Sequence, residues 1–260
     1  MVETPKEEAL RENRYSYSKL TSFNTCKFGY YKRYIEHQRG IGNCFSSYGT
    51  LLHSILERYG KGKLSIENLV DTYEWEFNTS IPERFPKTKY CPDMRKLYYT
   101  QGLDFLRNFK GYSNIDILDV ETEFDIPLYD WIFTGVIDFV FIDKKTNELI
   151  LRDWKSKSSF KNKKEEAEYR RQLYLYCIYI KDRYGRYPDK MQFYLLRKNK
   201  IVEVRFNEED LLEAVNWANN TVKEIQQCWS YPPSPDNFFC NQLCNHRFEC
   251  PHKPNISVKK

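Results

Sequence analysis

The chain has 260 residues, with 41 Lys and Arg against 36 Asp and Glu and a formal net charge of +5. This length admits one sizeable core, or a core with an inserted subdomain, and excludes three independent units; the mildly basic balance is compatible with nucleic acid without requiring it. No run of 18 or more apolar residues is present to span a bilayer, and Met1 to Arg14 is charged rather than apolar like a secretory signal, so a soluble, intracellular (cytoplasmic) protein without a membrane partner is expected, nucleoid-associated if bacterial.

After this polar segment, Ser16 or Ser18 can cap a helix in which Leu20, Phe23, Tyr30 and Tyr34 recur at helical spacing through Ile35, carrying Cys26. A break at Gly40 and Gly42 precedes a second helical segment from about Ser47 to Tyr59, where Leu52, Ile55, Leu56 and Tyr59 form an apolar face beside His53. Residues 60–111 read as a helical insertion interrupted by Pro82, Pro86 and Pro92, with no chemistry of its own. The period then changes. Trp131 to Asp143 and Glu148 to Lys155 are rich in β-branched and aromatic residues, and the Lys144-Lys145-Thr146-Asn147 turn between them predicts an antiparallel hairpin. A helix from about Glu165 to Asp182, strands Met191 to Arg197 and Ile201 to Phe206, and a helix from about Glu208 to Trp229 follow. The proline-rich and then cysteine-rich stretch 232–260 has no core of its own and is expected to be stapled to the body.

Side chains alternate across a strand, so Asp153 and Lys155 share one face and Trp154 points to the other. The hairpin partner can bring Asp138 alongside them, and Gly135 fits close backbone approach there. Two neighbouring carboxylates repel. A divalent cation removes that penalty, and hard oxygen ligands suit magnesium or manganese. Such an ion readies water for attack on phosphorus, with Lys155 positioned to hold the water or the developing phosphate charge. A surface salt bridge between Asp153 and Lys155 is the plainer alternative. On the following helix Tyr169, Gln172, Tyr176 and Tyr179 line one face, which could contact substrate or simply form a polar helix boundary. Lys157, Lys161, Lys163 and Lys164, with Arg152, Arg170 and Arg171 nearby, make a basic concentration able to hold a DNA backbone or to remain a solvated loop.

Taken in order, Ser16-Tyr17-Ser18 through Cys26 to Tyr34, Gly49-Thr50-Leu51-Leu52-His53, Gly135-Val136-Ile137-Asp138, Asp153-Trp154-Lys155 and Gln172 through Tyr176 resemble the PD-(D/E)XK nuclease superfamily, specifically its RecB-like exonuclease branch. The resemblance implies a mixed α/β, restriction-endonuclease-like core: a central mixed β-sheet flanked by helices, in one nuclease domain spanning 1–260. It implies His53, Asp138, Asp153 and the main-chain carbonyl of Trp154 as ligands of the catalytic metal, and Lys155 as the residue assisting the attacking water. Gln172, Tyr176, Lys157 and Arg171 are the expected substrate-side residues, and Glu121 or Glu123 can also belong to the site. Ile137 stands where the family name has proline. The expected substrate is DNA, single-stranded or with free ends, with protein partners in repair, recombination or CRISPR adaptation; a non-catalytic DNA-binding scaffold of a repair or recombination complex and a CRISPR spacer-acquisition nuclease are the rival readings.

Eight cysteines in a reducing compartment do not suggest a disulfide framework. Cys240, Cys244 and Cys250, close together in the tail, point to metal instead. The same branch, in members with an iron-sulfur cluster, adds one cysteine from the N-terminal helix, which corresponds to Cys26, and four thiolates suit a [4Fe-4S] cluster. Three residues separate Cys240 from Cys244 where the pattern has two, and Lys27 follows Cys26 where it has proline. Zinc with His246 or His252 therefore stays open. Cys44, Cys91, Cys177 and Cys228 read as small apolar residues.

Overall fold

The computed structural model describes residues 12–255; Met1 to Arg11 of the charged segment and residues 256–260 lie outside them. In chain order come strand β1 (Arg14–Tyr15), helices α1 (Tyr17–Thr25) and α2 (Lys27–Tyr30), a π-helical turn (Tyr31–Ile35), and helices α3 (Cys44–Gly60), α4 (Leu69–Ser80) and α5 (Met94–Asn108). Strands β2 (Ile115–Leu128), β3 (Trp131–Asp143) and β4 (Leu149–Lys155), helix α6 (Lys163–Tyr184), strands β5 (Lys190–Leu195) and β6 (Lys200–Arg205), helix α7 (Glu208–Gln227) and a second π-helical turn (Phe239–Leu243) follow. The hydrogen-bonded strand order is β1-β3-β4-β5-β6, with β2 also pairing β3. Pairs β1–β3 and β4–β5 are parallel, while β3–β4 and β5–β6 are antiparallel. The result is the expected mixed sheet flanked by helices. Among the described residues no helix is long and apolar enough to cross a membrane.

The chain divides into two compact units, one built from the described parts of Met1–Asn43, Asp125–Gly135 and Val215–Lys260, the other from Cys44–Phe124 and Val136–Ala214. The helical insertion (60–111) falls in the second unit, and the cysteine-rich tail falls in the first, with the N-terminal helices.

In the second unit the β3–β4 register pairs Phe139 with Arg152, Val140 with Leu151 and Ile142 with Leu149. Alternation sends Phe139, Phe141, Ile150 and Trp154 into a core with Leu52, Ile55 and Leu56 of α3, Tyr73 and Phe77 of α4, and Phe105 and Leu106 of α5. The opposite face carries Val140, Leu149 and Leu151, and α6 packs along β4 through a stripe that buries Leu173, Cys177 and Ile180. Helix α6 starts where Asn162 accepts from the Glu165 amide at 2.9 Å, and it stops at Gly185, whose φ of 72° belongs to the left-handed region open to glycine.

In the first unit Tyr15, Leu20, Phe23, Trp131, Phe133, Ala218 and Val222 are buried, with Tyr15 and Trp131 packed edge to face at 5.9 Å. The sequence suggested one continuous helix from Ser16 or Ser18 to Ile35. Ser16 does cap α1, accepting from the Lys19 amide at 3.1 Å, but the helix breaks at Cys26, whose extended backbone (φ −159°) ends α1 and starts α2.

Candidate active site and cysteine pocket

Several candidate site residues of the second unit meet at the end of β4. One step beyond the Phe139–Arg152 pair, the register sets Asp138 opposite Asp153, and Asp138 Oδ2 accepts from the Trp154 amide at 2.6 Å. From α3, His53 meets the same strand end: its Nε2 lies 3.0 Å from the Trp154 carbonyl, its Nδ1 2.9 Å from Glu121 Oε1 and 3.8 Å from Asp138 Oδ1. Among the described residues, His53, Glu121 and Asp138 form the group whose ligand atoms all lie within 4.8 Å of one another. Of the two acids left open by the sequence, Glu121 is the one beside His53, and Glu123 is exposed. Glu121 sits in β2 with φ 43°, a left-handed conformation that costs a non-glycine residue about 1–3 kcal/mol and re-aims its side chain. No periodicity signals that kink.

Asp153 is buried against Lys155. Its Oδ1 accepts from Lys155 Nζ at 3.0 Å; Oδ2, 2.7 Å from the same ammonium but off a hydrogen-bonding angle, has no hydrogen-bond partner. Lys155 also donates to Gln172 Oε1 at 3.0 Å, and Gln172 Nε2 donates to the Tyr176 hydroxyl at 2.9 Å. Tyr169 receives Lys155 and Lys157 over its ring at 4.9 and 5.1 Å. This face of α6 thus carries Gln172 and Tyr176 beside Lys155, whereas further on Tyr179 donates to buried Asp119 at 2.8 Å. Lys157 is paired with Glu165 at 2.7 Å. Arg171 is placed elsewhere, lining a pocket with Arg170, Tyr174 and Asp210.

The electrostatics follow from burial. Desolvation raises the Asp138 and Asp153 carboxyls against the pull of His53 and Lys155. Burial lowers the Lys155 ammonium, but Asp153 and Asp138 outweigh it and leave its pKa raised. Burial also works against His53⁺; Asp138, then Glu121 and Asp153, overcome this and hold the imidazole at about 9. Three carboxylates against the Lys155 ammonium and the His53 imidazolium leave a net charge of −1, which becomes −2 once the His53 proton is displaced. That negative balance and the hard donor set of His53, Glu121 and Asp138 fit one divalent cation.

In the first unit, Cys26, Cys240, Cys244 and Cys250 line one pocket with Phe28, His246 and other residues. Backbone amides of Gly29 and Ser234 point at Cys26 Sγ at 3.4 and 3.5 Å, and that of Asp236 at Cys240 Sγ at 3.4 Å, an arrangement suited to thiolates. His246 is 5 % exposed, and neither ring nitrogen has a partner among the described residues. The extra residue between Cys240 and Cys244 lies in the π-helical turn Phe239–Leu243, closed by the Cys244 amide on the Phe239 carbonyl at 2.8 Å; such a turn accommodates one residue more than an α-turn. Arg247, unnoticed in the sequence, holds this tail to the N-terminal segment by donating to the carbonyls of Ile41 at 2.7 Å, Gly42 at 2.5 Å and Cys244 at 3.1 Å.

A profile of the PD-(D/E)XK nuclease superfamily matches residues 14–251, nearly the whole chain. The chain belongs to this superfamily. Its members use divalent metals, in keeping with the His53, Glu121 and Asp138 group, and this PD-(D/E)XK chain is accordingly a nuclease by family. No curated protein matches it significantly. Solved structures similar to it include an inferred exonuclease from Eubacterium rectale (15% identity, 96% of this chain and 93% of that one, TM-score 0.49) and the protein SSO0001 (15% identity, 96% and 94%, TM-score 0.40).

Proposed function

We propose that this PD-(D/E)XK chain hydrolyses phosphodiester bonds of DNA, acting at the ends of single strands, with magnesium or manganese bound at the end of β4. The observation that carries the reading is the meeting of His53, Glu121 and Asp138 at one strand end, beside the buried Asp153–Lys155 pair. His53, Glu121, Asp138, Asp153 and the Trp154 carbonyl are the groups to hold that ion, Glu121 being the one of the two acids left open by the sequence that lies beside His53. When bound, the ion supplies Lewis acidity to water and to a phosphoryl oxygen. Lys155, fixed between Asp153 and Gln172, presents its ammonium to the water that attacks phosphorus or to the charge growing on the phosphoryl oxygens. Gln172 and Tyr176 lock the lysine rotamer and Tyr169 walls one side. Water adds to phosphorus, the P–O ester bond breaks, and a hydroxyl and a phosphate end leave.

The four cysteines are proposed to hold a [4Fe-4S] cluster as a structural staple. Four cysteines lining one pocket, with backbone amides aimed at the Cys26 and Cys240 sulfurs, support a four-thiolate site.

The test uses purified protein with labelled linear and circular single-stranded DNA, with and without EDTA. Digestion of the linear strand alone, abolished by EDTA and by Asp153→Ala, is expected; digestion unaffected by Asp153→Ala overturns the assigned site, and equal cutting of circles overturns end dependence.

A further inference from the structure

Arg197 sits in the 3₁₀ turn Leu196–Lys198 that follows β5, at the end of the sheet where Lys155 ends the neighbouring strand β4, since Lys155 and Leu195 are register partners. Its guanidinium lies over the ring of Tyr98 from α5, 3.7 Å from the ring centre. Tyr98 is itself braced by Phe45, Tyr48 and Phe85, with ring centres 5.4, 5.0 and 5.2 Å away, so the platform is rigid. Gln101, one helical turn on, accepts from Arg197 Nε at 2.6 Å, and the Arg197 amide donates to the Lys157 carbonyl at 3.3 Å.

The contrast with other cations is informative. Arg58 is bidentate on Glu76, Lys157 is paired with Glu165, and Lys155 with Asp153. Among the described residues Arg197 meets no carboxylate, and its two terminal nitrogens have no protein partner; only Nε is used. A half-buried guanidinium, stacked and oriented but lacking an anion, is arranged to receive one. A row of cations then leads away from the metal-ligand group: Lys155 and Lys157 share the Tyr169 ring, and the Lys157 main chain contacts Arg197. Such a line of cations can track the backbone of an unpaired strand without sequence preference.

We propose that Arg197, stacked on Tyr98 and oriented by Gln101, binds a backbone phosphate of single-stranded DNA displaced from the scissile bond toward the helical insertion. This gives the insertion, silent in the sequence, a part in substrate binding, and it rests on the nuclease reading only for which bond is cut.

The test is fluorescence anisotropy of a labelled single-stranded oligodeoxynucleotide with the full chain in EDTA, where cleavage is blocked, across a salt series. Arg197→Gln is expected to raise Kd about tenfold at low salt and to flatten the slope of log Kd against log salt by about 0.7, the value for one lost phosphate contact on a single strand. Arg197→Lys keeps the charge but loses the planar fork, so it should weaken binding with an unchanged salt slope. Lys145→Gln, in the exposed turn at the far end of β4, should change neither. Wild-type Kd and slope in a folded Arg197→Gln overturn the proposal; should that variant not fold, wild-type Kd in Arg197→Lys does so. Binding that depends on Arg197 in a protein that does not cut DNA leaves this proposal standing and removes the nuclease reading, and cutting with Arg197-independent binding does the reverse.

Discussion

Binding of the metal should displace one proton, and that proton sits on His53. The Trp154 carbonyl 3.0 Å from Nε2 and the Glu121 carboxylate 2.9 Å from Nδ1 can only accept hydrogen bonds, so both ring nitrogens must donate and the metal-free ring is an imidazolium. This agrees with a pKa held at about 9. A ligand nitrogen must shed its proton, so at pH 7, roughly two units below that value, the apparent association constant should rise about tenfold per pH unit, with the slope falling to about half near pH 9. Calorimetric titration with manganese in buffers of different ionisation enthalpy should count about one proton released per ion at pH 7 and about half of one at pH 9. The same proton sets a stability trend. Because the folded pKa exceeds the unfolded value of about 6.5, the stabilisation is complete below pH 6.5 and is lost as pH rises through 9. The bound is about 3 kcal/mol, reduced by solvent screening to about 1–2 because 26% of the side chain is exposed. The metal-free protein should therefore melt at lower temperature from pH 6.5 to 9, and manganese should flatten that trend. A metal affinity independent of pH between 6.5 and 8, with no proton released, refutes the reasoning.

Glu121→Gln should weaken manganese binding and cut activity about a hundredfold, whereas Glu123→Gln should leave both near wild type by calorimetry and nuclease assay. Lys155→Met leaves the buried Asp153 carboxylate uncompensated and should cost about 3–5 kcal/mol in urea unfolding without metal, with part of the loss restored by manganese; unchanged stability contradicts the buried pairing. Gly40→Ala should lower the melting temperature, since φ is +67° and an added Cβ would lie 2.5 Å from the Asn245 carbonyl oxygen.

The parts of this nuclease legible in the sequence were those with strong local periodicity. The β3–β4 hairpin was readable because Phe139, Phe141, Ile150 and Trp154 alternate with Asp138, Leu151 and Asp153 around a polar turn, and α6 because its apolar stripe runs uninterrupted. Strand β2 was missed: Pro127 argues against a strand, and the Tyr129-Asp130 turn, with Tyr129 at φ 57°, lacks the glycine or asparagine such turns advertise. With β2 went the choice of Glu121, because a left-handed residue within a strand leaves no trace in composition. The break at Cys26 was invisible for a related reason, in that a cysteine whose sulfur accepts from the amide three residues on is not a usual helix cap. Arg197 and Arg247 depend on rings and carbonyls far along the chain, and only tertiary structure brings those together.

The most direct test is an anomalous-scattering map of a crystal grown with manganese. A single strong peak at ligand distance from His53, Glu121 and Asp138, beside the Trp154 carbonyl, is the predicted result. Manganese bound elsewhere, with that strand end left empty at saturating metal, contradicts the account.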